Sequence, residues 1–525
     1  MPPETMTLFN FTLALSPIIV VLVLMVGLNW GGAQAGAAGW LMALIVAVLF
    51  FGAGPSLLAY SQMRALLFTL YVLYIIWMAL VLYNVIQEAG AITVISQVIT
   101  RLAEDRVLQL LVLSWVFSSF LQGIAGFGVP IAIVAPLLIG VGFSPVTSVT
   151  AVAIGHSWSV NFGSIAASFN TLIAATGIPG SVLAPWAAQL LGVSCFACGV
   201  AVVWTYGGLA ALRRGWLAIL IIGSAMAGVQ YVLAVTGLWN IAAFVAGLAG
   251  LVVAALVARL PFYRAGATAT RSPAVAPIAS NPRKLSFPLA VTPYVILVAI
   301  VSVAELVEPV RKILNAIQIQ MAFPATTTAL GWVTKAGKGQ SISVFGQAGA
   351  YLIYTSVAAY ILFSVTGYYK PGALKRIFVN TARSAVRSSI GIAAMVGFAM
   401  IMDQAGMTNL IAVGLGRALA PVFAFVSPFI GLLGAFMTGS NTNSNVLFAG
   451  LQQQTAELLG LSVPLILGAQ TTGGSLGGML APARIIVGCS TAGLAGQEGQ
   501  VLRRTIAYGI IITILIGAIT WIVAR

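Results

Sequence analysis

The sequence predicts an all-α integral membrane protein with about twelve transmembrane helices, and three observations carry that prediction. First, the 525 residues are 60% hydrophobic and only 6% charged, with a mean hydropathy of +1.06, a composition that no soluble globular class accommodates. Second, apolar runs of about spanning length recur along the chain. They are rich in Gly and Ala and do not alternate as the strands of an outer-membrane barrel do. Third, two long apolar regions, 107–177 and 424–493, are repeatedly interrupted by Gly, Pro, Asn and Ser, and they look like copies of one another.

Taken in order, plain spans are expected around 11–28, 36–52, 66–87, 182–204, 216–236, 238–258, 289–304, 344–366, 388–404 and 505–524. The first follows an acidic start, so it does not read as a cleavable signal peptide. Residues 1–60 form an amino-terminal pair of helices and 61–258 a first repeat, with a re-entrant hairpin at 107–142 and a broken helix at 146–173. Residues 259–288 carry five basic residues, five prolines and no acid, and read as a solvated cytoplasmic linker. A connecting helix and a polar segment occupy 289–343, where 307–321 looks amphipathic and suited to the interface. The second repeat is 344–525, with its hairpin at 424–453 and its broken helix at 461–490.

The duplication rests on register. Gln87-Glu88-Ala89-Gly90 matches Asp403-Gln404-Ala405-Gly406 at an offset of 316 residues. The same offset pairs Arg101 with Arg417, Gly123 with Gly439 and Gly177 with Gly493, and it slips by two or three residues around Pro145 and Pro464. With hairpins that enter and leave on one side, seven crossings separate equivalent points. An odd number makes the repeats inverted.

Charge sets the orientation. Of 24 Lys and Arg residues, sixteen fall in loops on one side and seven on the other, and Arg484 lies within a span. The richer side is read as cytoplasmic, which puts both termini in the periplasm of a bacterial inner-membrane protein. The net charge of +15 is thus a topology signal, and no nucleic-acid partner is implied. Cys195, Cys198 and Cys489 include one CxxC, but it sits in an apolar run without a second ligand pair, so neither a metal, a redox centre nor a cofactor is expected.

The chemistry is expected where the spans break. The run GSNTNSN at 439–445 places six consecutive Ser, Asn and Thr residues between apolar stretches. Polar groups left unpaired in hydrocarbon cost several kcal/mol each, so such a run belongs in a cavity or a site, or else in an ordinary extramembrane loop. Its counterpart is QGIAGFGVP at 122–130, where glycine lets the backbone turn and expose amides; close helix packing is the alternative. Amides at half-helix starts suit a carboxylate. The broken helices add GHSWSVNFG at 155–163 and QTTGGS at 470–475. His156, the single histidine, suits a proton carrier, a substrate ligand or a satisfied structural role. Asp403 and Glu88 occupy equivalent span ends and are the acidic candidates for proton coupling, with an interfacial structural role as the alternative. Arg484 could pair with a substrate carboxylate or snorkel to the interface.

Three stretches, QGIAGFGVPIAIVAPLLIGVGFSP, AIGHSWSVNFGSIAASF and TGSNTNSNVLFAGLQ, together with the amino-terminal LSPIIVVLVLM, make the chain resemble the bacterial L-lactate permease family over essentially its whole length. The resemblance implies proton-coupled uptake of small 2-hydroxymonocarboxylates, L-lactate, D-lactate and glycolate. It also implies kinship with ion transporters that move their site by an elevator motion, some carrying a similar SNT motif, here Ser440-Asn441-Thr442. The chain departs from the familiar pattern at Ala483-Arg484, where small polar residues are expected, which opens a shifted substrate preference.

The expected site therefore comprises Gly126, Gly128, Asn441, Thr442, Asn443 and Ser444 around the carboxylate, with His156, Ser157, Thr471 and Thr472 around the 2-hydroxyl. The partners are the monocarboxylate, protons and the bilayer, and a homodimer is left open. Sodium coupling is the nearest alternative. A passive channel is disfavoured by the duplicated breaks. An intramembrane hydrolase is remote, because adjacent His156 and Ser157 side chains diverge.

Overall fold

In the computed structural model, which describes residues 7–24, 28, 30–124, 126, 128–264, 285–494 and 497–525, the chain is helical nearly throughout. Nine helices among the described residues are long and apolar enough to cross a membrane. Their outer faces expose large aliphatic side chains, Leu49, Leu66, Val232 and Ile511 among them, as a protein solvated by lipid does. The chain is a multi-pass membrane protein.

Helices α1 (Leu8–Leu22) and α2 (Gly32–Phe51) precede the 34-residue α3 (Pro55–Glu88). After α4 (Ala91–Thr100), α5 (Arg106–Leu111) continues through a π turn (Val112–Phe117) into α6 (Ser118–Ile124), and α7 (Val129–Gly140) follows a break. Next come α8 (Pro145–Gly155), a 3-10 turn (Ser157–Ser159) and α9 (Gly163–Thr176). Helix α10 (Gly180–Val235) has 56 residues. Straight, it would be about 84 Å long, against a hydrocarbon thickness of about 30 Å. It instead reverses at Gly207-Gly208, where the backbone leaves the helical region. Gly192 then lies against Ala227, Gly223 against Phe196 and Gly215 against Val203, so two antiparallel arms result. Helices α11 (Trp239–Val257) and α12 (Pro261–Arg264) lead to the proposed linker, most of which, 265–284, is outside the described residues.

Beyond α13 (Phe287–Leu306), the segment expected to be amphipathic holds only the short α14 (Glu308–Leu314). It then gives way to a two-stranded ribbon of β1 (Gln318–Ile319), β2 (Ala322–Phe323), β3 (Thr326–Thr327), β4 (Val333–Thr334), β5 (Gly337–Lys338) and β6 (Ile342–Ser343), paired β3–β4, β2–β5 and β1–β6. The ribbon caps helix ends: the Ala329 amide donates to the Gly52 carbonyl at 2.8 Å and the Thr334 hydroxyl to Gln404 O at 2.9 Å.

The rest of the chain comprises α15 (Ala348–Val365), α16 (Ala373–Gln404), α17 (Met407–Leu419), α18 (Phe423–Thr438), α19 (Asn441–Leu458), α20 (Val463–Gly477), α21 (Pro482–Thr491) and α22 (Glu498–Val523). Helix boundaries recur at the offset read from the sequence. Helices α3 and α16 end at Glu88 and Gln404, and both are followed by a left-handed glycine, Gly90 (φ 78°) and Gly406 (φ 80°). The two helices lie antiparallel. Trp77 donates to Ser389 at 2.8 Å, Asn84 to Thr381 at 3.0 Å, and Arg376 holds Glu88 at 2.6 Å.

Small residues let backbones meet inside each repeat. A Cβ on Gly155 would sit 1.9 Å from the Ser114 carbonyl oxygen, and one on Gly473 would sit 1.8 Å from that of Pro428. Neither oxygen can retreat, since it belongs to a packed helix. Gly155→Ala and Gly473→Ala are each expected to cost about 1–3 kcal/mol or more through overpacking. The check is thermal unfolding in detergent, with Gly228→Ala, which has open space around it, melting as the unmodified protein does.

Candidate substrate site

The polar run at 439–445 is a helix start rather than a loop. Gly439 turns the chain at φ 70°, Ser440 caps α19 by accepting the Asn443 amide at 3.4 Å, and Asn441 to Asn445 form its first turn, all buried. Ser, Asn and Thr serve here because an N-cap needs a short side-chain acceptor and because buried amides need partners.

Those partners converge on Thr471 in α20. Its hydroxyl accepts from the amides of Asn441 (3.2 Å) and Asn445 (3.0 Å) and donates to Asn161 Oδ1 (2.5 Å). Asn441 also donates to Ser475 and Asn445 to the Ser168 carbonyl, while Ser444 donates to Gly431 O and accepts from Gln470. A threonine hydroxyl offers one donor and two acceptor positions. All are used, so Thr471 ties the second tip to the break in the first repeat.

The first tip is built differently. The Gly126 amide donates to Ser164 Oγ at 2.7 Å; Ala125 and Phe127 lie outside the described residues. Ser164 begins a left-handed turn, Ser164-Ile165-Ala166, with φ of 50°, 55° and 54°. Non-glycine residues pay about 1–2 kcal/mol each for that conformation. The turn brings the hydroxyl of Ser164 to the tip and that of Ser168, one turn on, within 3.1 Å of the Thr442 hydroxyl.

Between the tips lies a cavity of about 20 Å³, room for about one water. Gln122, Gly126, Ser164 and Ser168 face it from the first repeat, and Ser440, Asn441, Thr442 and Arg484 from the second. Arg484 is buried, with Nε donating to Gly439 O at 2.9 Å and Nη1 lacking a hydrogen-bond partner. At the offset of 316, Gly126 corresponds to Thr442 and Ser168 to Arg484. The cavity therefore sits where equivalent positions of the two copies face each other.

Of the residues expected at the site, Gly126, Asn441, Thr442 and Arg484 meet at this cavity. Thr471, Asn443 and Ser444 stand behind it: Thr471 and Ser444 are engaged by their neighbours, and Asn443 keeps a buried Oδ1 without a partner. Gly128 starts α7 and looks toward Val487. Ser157 bonds Ile154 O and Cys198, and Thr472 bonds Gly468 O. His156 places Nδ1 2.6 Å from Val152 O, and its buried Nε2 has no partner. A carbonyl can only accept, so Nδ1 carries the proton and neutral Nε2 would be a free base. Gln122, Ser164, Ser168 and Ser440 are additions, and Ser168 was within reach of the sequence, because it stands at the position equivalent to Arg484 at the offset of 316.

The acidic candidates lie apart from the cavity. Glu88 is held by Arg376. Asp403 borders a second cavity of about 380 Å³ among α16, α17 and α19, accepting from Gln404 (2.9 Å) and Gln454 (3.2 Å).

The family model described as L-lactate permease matches residues 10–525. The chain is 28% identical to the L-lactate permease of Bacillus subtilis (strain 168), over 97% of this chain and 95% of that one. It is 28% identical to the L-lactate permease of Escherichia coli (strain K12), over 92% and 90%, and 26% identical to the glycolate permease GlcA of the same strain, over 97% and 94%. Among solved structures it is similar to the YdaH transporter of Alcanivorax borkumensis, with 16% identity, a TM-score of 0.47, and coverage of 89% of this chain and 87% of that one.

Thr471→Val keeps the shape of the side chain and deletes the hydroxyl, leaving Asn161 Oδ1 without a partner and taking one of two acceptors from the amides of Asn441 and Asn445. At about 1–3 kcal/mol for the unsatisfied group, a fall in melting temperature in detergent is expected. Thr472→Val, whose hydroxyl serves only its own helix, is the matched comparison and should melt within a few degrees of the parent.

Proposed function

The chain belongs to the L-lactate permease family, and from that premise we propose that it imports L-lactate and related 2-hydroxymonocarboxylates, glycolate and D-lactate among them, by proton symport across the bacterial cytoplasmic membrane. The observation that carries the site is Arg484: a buried guanidinium at a cavity between two interrupted helices, with one nitrogen unpaired. A carboxylate is the natural partner for a planar guanidinium. The amino-terminal end of α19 adds partial positive charge on the same side of the cavity, and the hydroxyls of Ser168 and Thr442 are at hand for the 2-hydroxyl.

The antiparallel packing of α3 on α16 supports inverted repeats, with α5 to α7 and α18 to α19 as re-entrant hairpins whose tips meet near the bilayer midplane. The distribution of Lys and Arg supports both termini on the periplasmic side. The cavity of about 20 Å³ is too small for lactate, so the tips part to admit it. An elevator motion of the hairpin bodies against α2, α3 and α16 would then carry the site across.

We assign the coupling proton to Asp403. Its carboxylate borders the larger cavity and touches α19 through Gln454, so a proton gained there is reported to the helix whose other end forms the tip. Glu88 is engaged by Arg376. His156 is sealed in the protein.

The test is uptake of labelled L-lactate into proteoliposomes of the purified protein. An inward proton gradient should drive accumulation, and a sodium gradient at fixed pH should not; the reverse would replace the proton by sodium. Arg484→Gln should lower uptake at limiting substrate by about 10–100-fold, the worth of a buried charged hydrogen bond of about 1.5–3 kcal/mol. Asp403→Asn should abolish the response to the proton gradient.

A further inference from the structure

The charge balance at the cavity has a consequence for the direction of flux. Arginine stays protonated at any physiological pH, and among the described residues no acidic side chain lines the cavity around Arg484. Among the described residues, the ion pairs are Arg214–Asp105, Lys312–Glu308 and Arg376–Glu88, none of which includes Arg484. The guanidinium is held by one neutral acceptor, Gly439 O, and keeps Nη1 buried and unpaired.

Resting on the reading of this cavity as the substrate site, we infer a further activity: the protein is a carboxylate exchanger, swapping one bound monocarboxylate for another across the membrane faster than it performs net transport. With a monoanion bound, the site is neutral. Empty, it carries an uncompensated unit charge. Moving a charge through a low-dielectric barrier is costly, and moving a paired one is far less so. The loaded site therefore crosses readily in both directions, and the empty site returns slowly. Exchange moves one anion each way, so charge is conserved and no proton is consumed. Net uptake requires the slow empty return, and that leg is the one that coupling to Asp403 would assist. The position equivalent to Arg484 in the first repeat is Ser168, so the charge is supplied from one side alone and the site is matched to one carboxylate. A dicarboxylate would bring a second charge with no partner.

The experiment compares initial uptake of labelled L-lactate into proteoliposomes of the full chain at equal pH on both sides and zero membrane potential. One set is preloaded with unlabelled glycolate and the other is empty. Preloading is expected to accelerate uptake at least about tenfold. In Arg484→Lys, which keeps the charge, the acceleration should remain above threefold. Equal rates with and without preloading would overturn the inference while leaving the transport function standing. Absence of lactate flux in both sets would instead remove the functional reading on which it rests. Acceleration by preloaded succinate equal to that by glycolate would overturn the match to a single carboxylate.

Discussion

The hydroxyl of Thr471 is the point on which the interior of this protein depends. Two helices are interrupted where apolar surroundings leave no water to satisfy them, and each interruption frees backbone and side-chain groups that must find partners. Thr471 answers for three at once, accepting from Asn441 and Asn445 and donating to Asn161. Because Asn161 belongs to the break in the first repeat and the other two to the tip of the second, one atom joins both halves of the duplication. Most of the conspicuous polar residues near the tips are engaged in this lattice. It holds the tip in shape around the cavity that Thr442, Ser168, Gln122 and Arg484 line.

The two tips are equivalent in register and unlike in composition. The first relies on the Gly126 amide and a strained left-handed turn, and the second on a capped helix start. The same contrast holds behind them, where Ser168 and Arg484 occupy matching positions. Both sides present hydroxyls to the cavity, and the second alone adds a cation, Arg484. The left-handed turn, which costs conformational energy, is the kind of backbone found where a site dictates its surroundings.

Much of this was legible in the residues. The apolar composition required membrane helices, the matched glycines set an offset that the helix ends at Glu88 and Gln404 keep, and the polar run marked the start of α19. Other features were not legible. The ribbon between β1 and β6 is built from strands of two residues each, too short for alternation to register. Helix α10 reads as two spans, but its reversal at Gly207-Gly208 without a polar loop is a property of the backbone. Ser157 and Thr472 neighbour motif residues yet bond their own helices, because consecutive helical positions point about 100° apart.

The sequence by itself determined the class of protein, the repeat register and the short list of polar residues that could serve a substrate, because hydropathy, glycine placement and charge are local properties of the chain. Only the tertiary structure decided which of those residues are engaged and which are free. Asn445 meets Ser168 across 277 residues, and Thr471 meets Asn161 across 310. The Thr471 hydroxyl, with three partners, belongs to the frame, whereas the hydroxyls of Ser168 and Thr442, within 3.1 Å of each other, line the cavity. That choice is made by packing between distant segments.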